Sequence, residues 1–245
     1  MAGENLYTDL VDYYDKIDGK SSSRIKQDAT AIQELLREAN IQDSSALLDV
    51  GCGTGRHLRH LEKSYNTFGV DLNVGTAKMA DKTTDSTQII RGDMRQIPLN
   101  KYYFSSIICL SNTILYATTQ RDLRNVLAEF YRLLDFDGIV IIEVSRYQPQ
   151  SRTSKKTFSI PLMPEDNSSI VGIQIQKIRD GTVSLHNEYI YADQNNVVQR
   201  ISDVHKLGMF SPEKIMKALS EVGFEVTGEY SDKLSSYTIT AQKQS

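Results

Sequence analysis

One short stretch, residues 47–57, constrains the fold more than any other part of this 245-residue chain. It is an apolar run containing an acid, followed by a loop with glycine at every second position. The apolar run predicts a buried parallel strand. Glycines at positions 51, 53 and 55 let the backbone turn tightly and leave no Cβ between it and a ligand. A helix beginning after the loop would add free N–H groups and positive dipole density. We therefore expect a strand–loop–helix corner that holds a polar, adenosine-like ligand.

A second acid, Asp71, closes the next apolar stretch of the chain. A carboxylate at that place can accept both ribose hydroxyls of an adenosine. The glycine spacing then separates two classes of protein. Dinucleotide dehydrogenases need Gly-x-Gly-x-x-Gly, and the position of their third glycine is Arg56 here. The pattern Asp-x-Gly-x-Gly-x-Gly, from Asp49 to Gly55, resembles the first motif of class I S-adenosylmethionine (SAM) methyltransferases.

This resemblance implies an α/β fold: a doubly wound, Rossmann-like, seven-stranded and mostly parallel sheet. It implies SAM as the cofactor. The residues it places at the cofactor are Tyr14, Asp49, Gly51, Cys52, Gly53, Gly55, Asp71, Leu72, Asp93, Met94 and Leu110. Three alternatives stay open: a glycine-rich turn without a ligand, a module that binds SAM or a nucleotide without catalysis, and an NAD-dependent oxidoreductase, which Arg56 disfavours.

Two further segments resemble parts of the same family. Gly92–Met94 is similar to the segment that holds adenine, where the acid accepts from the exocyclic amine. An acid there could instead cap the turn at Arg95–Gln96. Residues 13–17, Tyr-Tyr-Asp-Lys-Ile, resemble the segment that folds over the cofactor as a lid in many small-molecule methyltransferases. The alternative is an amphipathic helix whose tyrosines pack on a core.

In the fold that this resemblance implies, the C-terminal edge of the fourth strand faces the methyl group. Ser111, Asn112 and Tyr116 are therefore the candidates for substrate contact, and a polar helix start is the alternative. Tyr14 and Tyr116 are the candidate catalytic residues, since either could help hold an amine nucleophile in its neutral form. Arg56 and His57 could reach the cofactor's carboxylate or lie on the surface.

The simple strand–helix alternation breaks after residue 145. Residues 170–178 and 183–191 alternate apolar and polar side chains around the hairpin signal Asp180–Gly181. We expect an inserted antiparallel sheet of three or four strands that could roof the site or build a homodimer contact. The predicted division is 1–43, an N-terminal lid and helix; 44–145, the SAM-binding core; 146–207, the inserted sheet; and 208–245, a closing helix and strands.

Other local signals fix the remaining elements. A helix is predicted over 24–40 with Ser22 or Ser23 as its cap, and another over about 55–63 after the glycine loop. The fifth strand is predicted over 139–144, after a turn at 135–138. Strands over 224–230 and 237–241 should close the sheet, and Asn195–Asn196 should form a turn.

Composition limits the partners. The net charge is −3 and the densest positive feature is Lys155–Lys156, which reads as a solvated turn, so nucleic acid is a poor candidate. No apolar run approaches the roughly 20 residues of a membrane span. The N-terminus has neither the basic start nor the apolar core of a secretory signal, so we expect a cytoplasmic protein. Cys52 and Cys109 read as buried thiols without metal-ligand spacing, and no metal is predicted.

Together these features are similar to small-molecule N-methyltransferases. The tyrosine-rich start, glycine loop, Gly-Asp-Met turn and inserted sheet most resemble the N,N-dimethyltransferases that act on nucleotide-linked amino sugars. We therefore expect methyl transfer to a small-molecule acceptor, at an amine nitrogen, with an O-methyltransferase of a small metabolite as the alternative.

Overall fold

The computed structural model describes residues 5–145, 153–161, 169–192, 198–231, 233–234 and 236–244. The chain forms two compact units. The larger contains residues 20–145 and the described residues from 210 onward. The smaller contains residues 5–19 and the described residues between 153 and 209.

The described strands, in chain order, are β1 (Ala46–Val50), β2 (Asn66–Asp71), β3 (Gln88–Arg91), β4 (Phe104–Cys109), β5 (Leu134–Val144), β6 (Thr153–Pro161), β7 (Ser169–Arg179), β8 (Thr182–Ala192), β9 (Val198–Gly208), β10 (Phe224–Tyr230) and β11 (Tyr237–Lys243). The α-helices are α1 (Tyr14–Asp18), α2 (Ser22–Glu38), α3 (Leu58–Leu61), α4 (Val74–Thr83), α5 (Gln120–Leu133) and α6 (Pro212–Val222). Short 3-10 helices cover Asn5–Tyr7, Val11–Tyr13 and Thr113–Tyr116.

The larger unit is built on a seven-stranded sheet in the order β10-β11-β5-β4-β1-β2-β3. Strands β1 to β5 pair in parallel, whereas β11 pairs antiparallel to both β5 and β10. The strand order runs outward from β1 to β3 and then returns to β4 on the other side of β1. This reversal makes a topological switch point, and ligands of such sheets bind at the carboxyl ends of the strands beside it.

Helices α2 and α6, which cover this sheet, begin at N-terminal capping residues. Helix α2 begins where the Ser21 hydroxyl accepts the Arg24 N–H at 3.2 Å, so the cap is Ser21 rather than Ser22 or Ser23. Its apolar side chains, among them Ile32 and Leu36, belong to one buried cluster with residues of β1 and β5. Helix α6 begins at Ser211–Pro212 as the cap signal predicts. The larger unit therefore carries the predicted doubly wound α/β fold.

The smaller unit contains a four-stranded antiparallel sheet in the order β6-β7-β8-β9. The hairpin between β7 and β8 turns at Asp180 and Gly181, both with positive φ (51° and 72°), which matches the Asp-Gly signal. Leu6 and Leu10 from the N-terminal segment pack with Ile170 and Tyr189 of the sheet. The inserted antiparallel sheet is thus confirmed, with four strands.

Three further local predictions were wrong. Lys155–Lys156 lie in strand β6, where their backbone pairs with Ile175 and Gln174, and not in a turn. The helix expected over 55–63 is limited to α3, because Gly55 has a φ of +78° that no α-helix accommodates. Strand β5 starts at Leu134, since the predicted turn is absorbed as an irregularity with Asp137 at a φ of +60°. The turn predicted at Asn195–Asn196 lies outside the described residues.

Candidate functional site

The glycine loop follows β1 at the switch point. Gly51, Gly53 and Gly55 all have left-handed backbone, with φ of +74°, +56° and +78°. A Cβ on Gly51 would lie 2.3 Å from the Thr113 Cγ2, so no larger residue fits there. Both the conformation and the space therefore require glycine, and the bare backbone leaves a cradle next to the residues that follow β4.

The end of β2 holds this loop in place. The N–H groups of Gly51 and Cys52 donate to the Val70 carbonyl at 2.7 and 3.1 Å. The Asp71 Oδ2 accepts the Gly53 N–H at 2.9 Å. Asp71 is nearly buried, so its carboxylate faces the loop in a fixed orientation. The structure thus brings together the two acids and the three glycines that the sequence singled out, while the ribose role of Asp71 stays a prediction.

Asp71 is fixed from its other side as well. Its Oδ1 accepts the Asn73 N–H at 2.9 Å and the Thr76 hydroxyl at 2.8 Å. These bonds join the carboxylate to the first turn of α4. A carboxylate with this many donors stays ordered without a ligand, which is useful for a group that must recognise one.

Asp49, on β1, is buried, with a side chain only 2% exposed. Its Oδ1 has no hydrogen-bond partner among the described residues. Burial, and secondarily the negative charge of Asp71, raises the pKa of Asp49 to about 8. A buried carboxyl oxygen without a donor is costly unless a ligand supplies one. Asp49 and the glycine cradle therefore fit a ligand that carries N–H donors and positive charge, as the amino-acid end of SAM does.

Further residues predicted to bind the cofactor, including the Gly92–Met94 segment predicted to hold adenine, lie on loops after β2 and β3. Leu72 is 49% exposed although it is large and apolar, and Met94 is buried. Asp93 accepts the Arg95 N–H at 2.9 Å and pairs with its guanidinium at 3.1 Å. This is the turn-capping role that the sequence left open, so the adenine role of Asp93 remains a prediction. Arg95 also donates to the Tyr116 carbonyl at 2.9 Å.

The segment after β4 has an unusual backbone. Ser111 and Asn112 are consecutive non-glycine residues with φ of +51° and +67°. Such conformations are sparsely populated and persist only when the surroundings fix them. Here the Asn112 side-chain oxygen accepts the Ser145 N–H at 2.6 Å, and the Ser111 N–H donates to Glu143 at 2.9 Å. Leu110 is buried just before this segment, and Tyr116 is half-buried at its end.

Sequence reasoning missed a network of charged side chains beside this segment. Lys20 Nζ lies 3.3 Å from the Glu143 carboxylate, 3.6 Å from Asp28 and 3.0 Å from the Ser111 hydroxyl. Asp28 and Glu143 are both nearly inaccessible, at 2% and 1% exposure. The available signal was an acid on the apolar stripe of a helix and another inside the apolar run of β5. Both patterns mark a buried charge, which needs a partner.

Arg56 and His57 connect the glycine loop to that network. The Arg56 guanidinium donates to the Lys20 carbonyl at 2.9 Å. The His57 Nε2 lies 3.8 Å from the Asp28 carboxylate. Within the structure these two side chains hold the N-terminal end of α2 against the glycine loop, and their predicted reach to a cofactor carboxylate stays a prediction.

In the smaller unit, the tyrosines of the N-terminal segment pack on their own sheet. The Tyr14 and Tyr7 rings are 5.5 Å apart, and the Tyr13 and Tyr191 hydroxyls are 2.8 Å apart. This agrees with the packing alternative for these tyrosines. On strand β9 the buried side chains of Asp203 and His205 are in close contact. The lid role of Tyr14 remains a prediction.

Cys52 and Cys109 are buried free thiols, and burial raises the pKa of both. Within the described ranges, no group of three or more His, Cys, Asp or Glu side chains is arranged to hold a metal ion. None of the helices in the described part of the chain is long and apolar enough to cross a membrane.

Comparison with known proteins agrees with this geometry. Residues 47–138, from β1 into the start of β5, match a methyltransferase domain family. A glycine/sarcosine N-methyltransferase of Aphanothece halophytica is 30% identical over 202 residues, which are 78% of this chain and 70% of that protein. The chain therefore belongs to the SAM-dependent methyltransferases.

Two more proteins are similar over nearly their whole length. A dTDP-3-amino-3,4,6-trideoxy-α-D-glucopyranose N,N-dimethyltransferase of Streptomyces venezuelae is 26% identical over 220 residues, covering 89% of this chain and 91% of that protein. SAM-bound CalS10, an amino pentose methyltransferase of Micromonospora echinaspora, has the same fold, with a TM-score of 0.76, 20% identity and coverage of 97% of both chains. The predicted family, fold class, enzymatic nature and SAM cofactor are thereby confirmed.

Proposed function

We propose that this enzyme transfers methyl groups to the amine nitrogen of a nucleotide-linked amino sugar. The observation that carries the proposal is the end-to-end similarity to the Streptomyces venezuelae amino-sugar N,N-dimethyltransferase. Two other relatives named as dTDP-amino-sugar N,N-dimethyltransferases, from Streptomyces fradiae and Saccharopolyspora spinosa, support it. A small polar acceptor also agrees with a net charge of −3, which favours neither nucleic acid nor an acidic membrane surface.

The larger unit has the residues to hold SAM. The cradle of Gly51, Gly53 and Gly55 admits the close approach of a ligand, with Asp71 beside it for the ribose. Asp49 has a buried oxygen that lacks a donor among the described residues. Leu72 and Met94 offer apolar side chains for the adenine ring, and Asp93 offers an acceptor for its exocyclic amine. SAM supplies an electrophilic methyl group, so the chain needs to orient the acceptor and exclude water rather than provide strong acid–base chemistry.

Tyr14 and Tyr116 are the proposed catalytic residues. Only the neutral amine attacks a methyl carbon, and a tyrosine hydroxyl can accept a hydrogen bond from one of its N–H groups and so orient its lone pair. The half-buried position of Tyr116 after the strained Ser111–Asn112 segment supports its part of this proposal. The domain boundaries predicted from the sequence, after residues 43, 145 and 207, are also part of this proposal.

Assembly and location are further parts of the proposal. Val171, Ile173, Ile190 and Val198 share one face of the smaller unit's sheet and are 41–66% exposed. The Glu188–Arg200 ion pair lies among them. An apolar patch that carries both signs of charge suits a second copy of the chain, in a symmetric homodimer. A cytoplasmic location agrees with two free thiols.

Glycine is the second candidate acceptor, because the glycine/sarcosine N-methyltransferase of Aphanothece halophytica is 30% identical to this chain, against 26% for the Streptomyces venezuelae amino-sugar enzyme. One assay separates them. The purified enzyme and isotopically labelled SAM are incubated with dTDP-3-amino-3,6-dideoxyglucose, with its 3-hydroxy analogue or with glycine, and products are identified by mass. We expect one or two methyl groups on the amino sugar and none on the hydroxy analogue. Methylation of glycine alone would select the second candidate, and methylation of the hydroxy analogue would contradict transfer to nitrogen.

A separate binding measurement tests the cofactor. Calorimetry should detect SAM and S-adenosylhomocysteine, and no binding of NAD. A protein that binds SAM and methylates none of the acceptors in a metabolite extract would instead be the non-catalytic module that the sequence left open. Mass determination in solution tests the homodimer: Ile190→Lys should give monomers, whereas a monomeric wild type would contradict the interface.

A further inference from the structure

Glu143 is a buried carboxylate whose two oxygens have different surroundings. It is the penultimate residue of β5 and only 1% exposed. Its Oε2 accepts the Ser111 N–H at 2.9 Å and lies 3.3 Å from Lys20 Nζ. Its Oε1 is buried and has no hydrogen-bond partner among the residues that the structure describes. One oxygen therefore anchors the side chain, and the other has no donor within the described part of the chain.

The fold places this oxygen at the carboxyl ends of β4 and β5, next to the switch point of the sheet. Ser111, which bonds the same carboxylate, begins the strained segment after β4. Two residues later, Thr113 contacts the glycine cradle. Backbone strain of this kind is concentrated at binding and catalytic sites. Position and strain together indicate that Glu143 belongs to a ligand site beside the cofactor.

The atom type of Oε1 determines which ligand group can bond to it. A carboxylate oxygen can only accept, so the ligand must bring an N–H or O–H donor, and a positively charged donor gives the strongest bond. Asp49 already offers a buried oxygen of this kind beside the glycine loop, on β1. Glu143 lies two strands away in the sheet order, past β4, on the side where the acceptor is expected.

We propose that Glu143 binds the acceptor through its amine group, with Oε1 accepting an N–H hydrogen bond, an inference that rests on the function proposed above. Lys20 and Ser111 orient the carboxylate from the opposite oxygen. The amine binds there as its ammonium form, which gives a stronger bond than an uncharged hydroxyl in its place would. One N–H proton then passes to Oε1, which leaves the nitrogen neutral, with the lone pair that attacks the methyl carbon. Glu143 is thus a residue that selects amines.

Glu143→Gln tests this directly. The glutamine keeps the shape and an oxygen for the Ser111 N–H, so its amide group presents a donor where Oε1 presented an acceptor. We expect KM for dTDP-3-amino-3,6-dideoxyglucose to rise at least tenfold, with SAM affinity from calorimetry within twofold of wild type. Glu129→Gln is the matched control: this glutamate pairs with Arg132 on α5 and should leave KM unchanged.

Each outcome has a distinct meaning. Unchanged KM in Glu143→Gln, with an active wild type, overturns the role of Glu143 and leaves the proposed function standing. Weaker SAM binding without a rise in KM also overturns it, because the carboxylate would then serve the cofactor. A wild type that never methylates the amino sugar refutes the proposed function itself, and this inference with it. If Glu143→Gln does not fold by circular dichroism, Glu143→Asp is measured instead; it keeps the charge but retracts it by one methylene, and the same rise in KM is expected.

Discussion

Asp49 should make both stability and cofactor binding depend on pH. The folded protein holds this carboxyl's proton with a pKa of about 8, against 3.8 for the ordinary group. Because the folded state binds the proton more tightly than the unfolded chain, raising the pH from about 4 to about 8 destabilises the fold. The free energy of unfolding should fall by about 1.4 kcal/mol for each pH unit, which gives a loss on the order of 5 kcal/mol over the whole range. Asp49→Asn should remove this loss, so the variant should exceed wild-type stability at pH 8.

Binding should show the opposite pH dependence. If SAM binds next to ionised Asp49, binding below pH 8 must release the proton, so affinity rises with pH up to about 8. Each pH unit below that value should then weaken binding by up to about tenfold, and pH 6 should therefore give Kd values up to about a hundredfold above those at pH 8. Calorimetry in two buffers of different ionisation enthalpy measures the proton release, which should approach one per SAM at pH 6.5.

The Asp49→Asn variant is also the control for the ligand. The α-amino group of SAM has its own titration near this pH range, and wild type and variant share it. The difference between their pH profiles therefore reports Asp49 alone. Parallel profiles for the two proteins, or the same proton release from both, would refute the assignment of Asp49 to the cofactor's charged end.

Two other changes test the cradle. Gly51→Ala should destabilise the protein by about 3 kcal/mol or more in urea unfolding, because its Cβ meets Thr113; Gly181→Ala has a similar φ but open space, so it should cost only about 1 kcal/mol of backbone strain, and equal losses would contradict the clash. Asp71→Ala should weaken SAM binding more than about tenfold, because a nearly buried acceptor that also holds the Gly53 N–H is lost; unchanged affinity would show that the ribose assignment is wrong.

The cradle and the sheet were predictable because their signals are local. A glycine spacing, an acid after an apolar run and an Asp-Gly hairpin each determine backbone conformation within a few residues. Gly51, Gly53 and Gly55 indeed all have the left-handed conformation that only glycine adopts easily. The glycine spacing also explains why α3 begins later than predicted, since a left-handed Gly55 cannot begin an α-helix.

The charged network was not predictable because its members are far apart in the chain. Lys20 and Glu143 are separated by 123 positions, and they meet only because α2, which follows Lys20, packs on the sheet that contains β5. Helical periodicity does not predict a contact for Asp28. Glu143 lies inside the apolar run of β5, which predicts only a buried strand. The strain at Ser111 and Asn112 has the same origin, since bonds to Ser145 and Glu143 from the next strand hold those residues in place.

The glycine cradle and the charged network around Glu143 have complementary tasks. Holding two reactants in line can supply about 7–11 kcal/mol of a reaction barrier. A methyl donor on the β1 side and an amine on the β4–β5 side gain this only if the loops between them do not move. Thr113 connects those loops, because its side chain fills the space that a Cβ on Gly51 would need. The rigidity of the Ser111–Thr113 segment should therefore matter for the rate as much as any group that handles a proton.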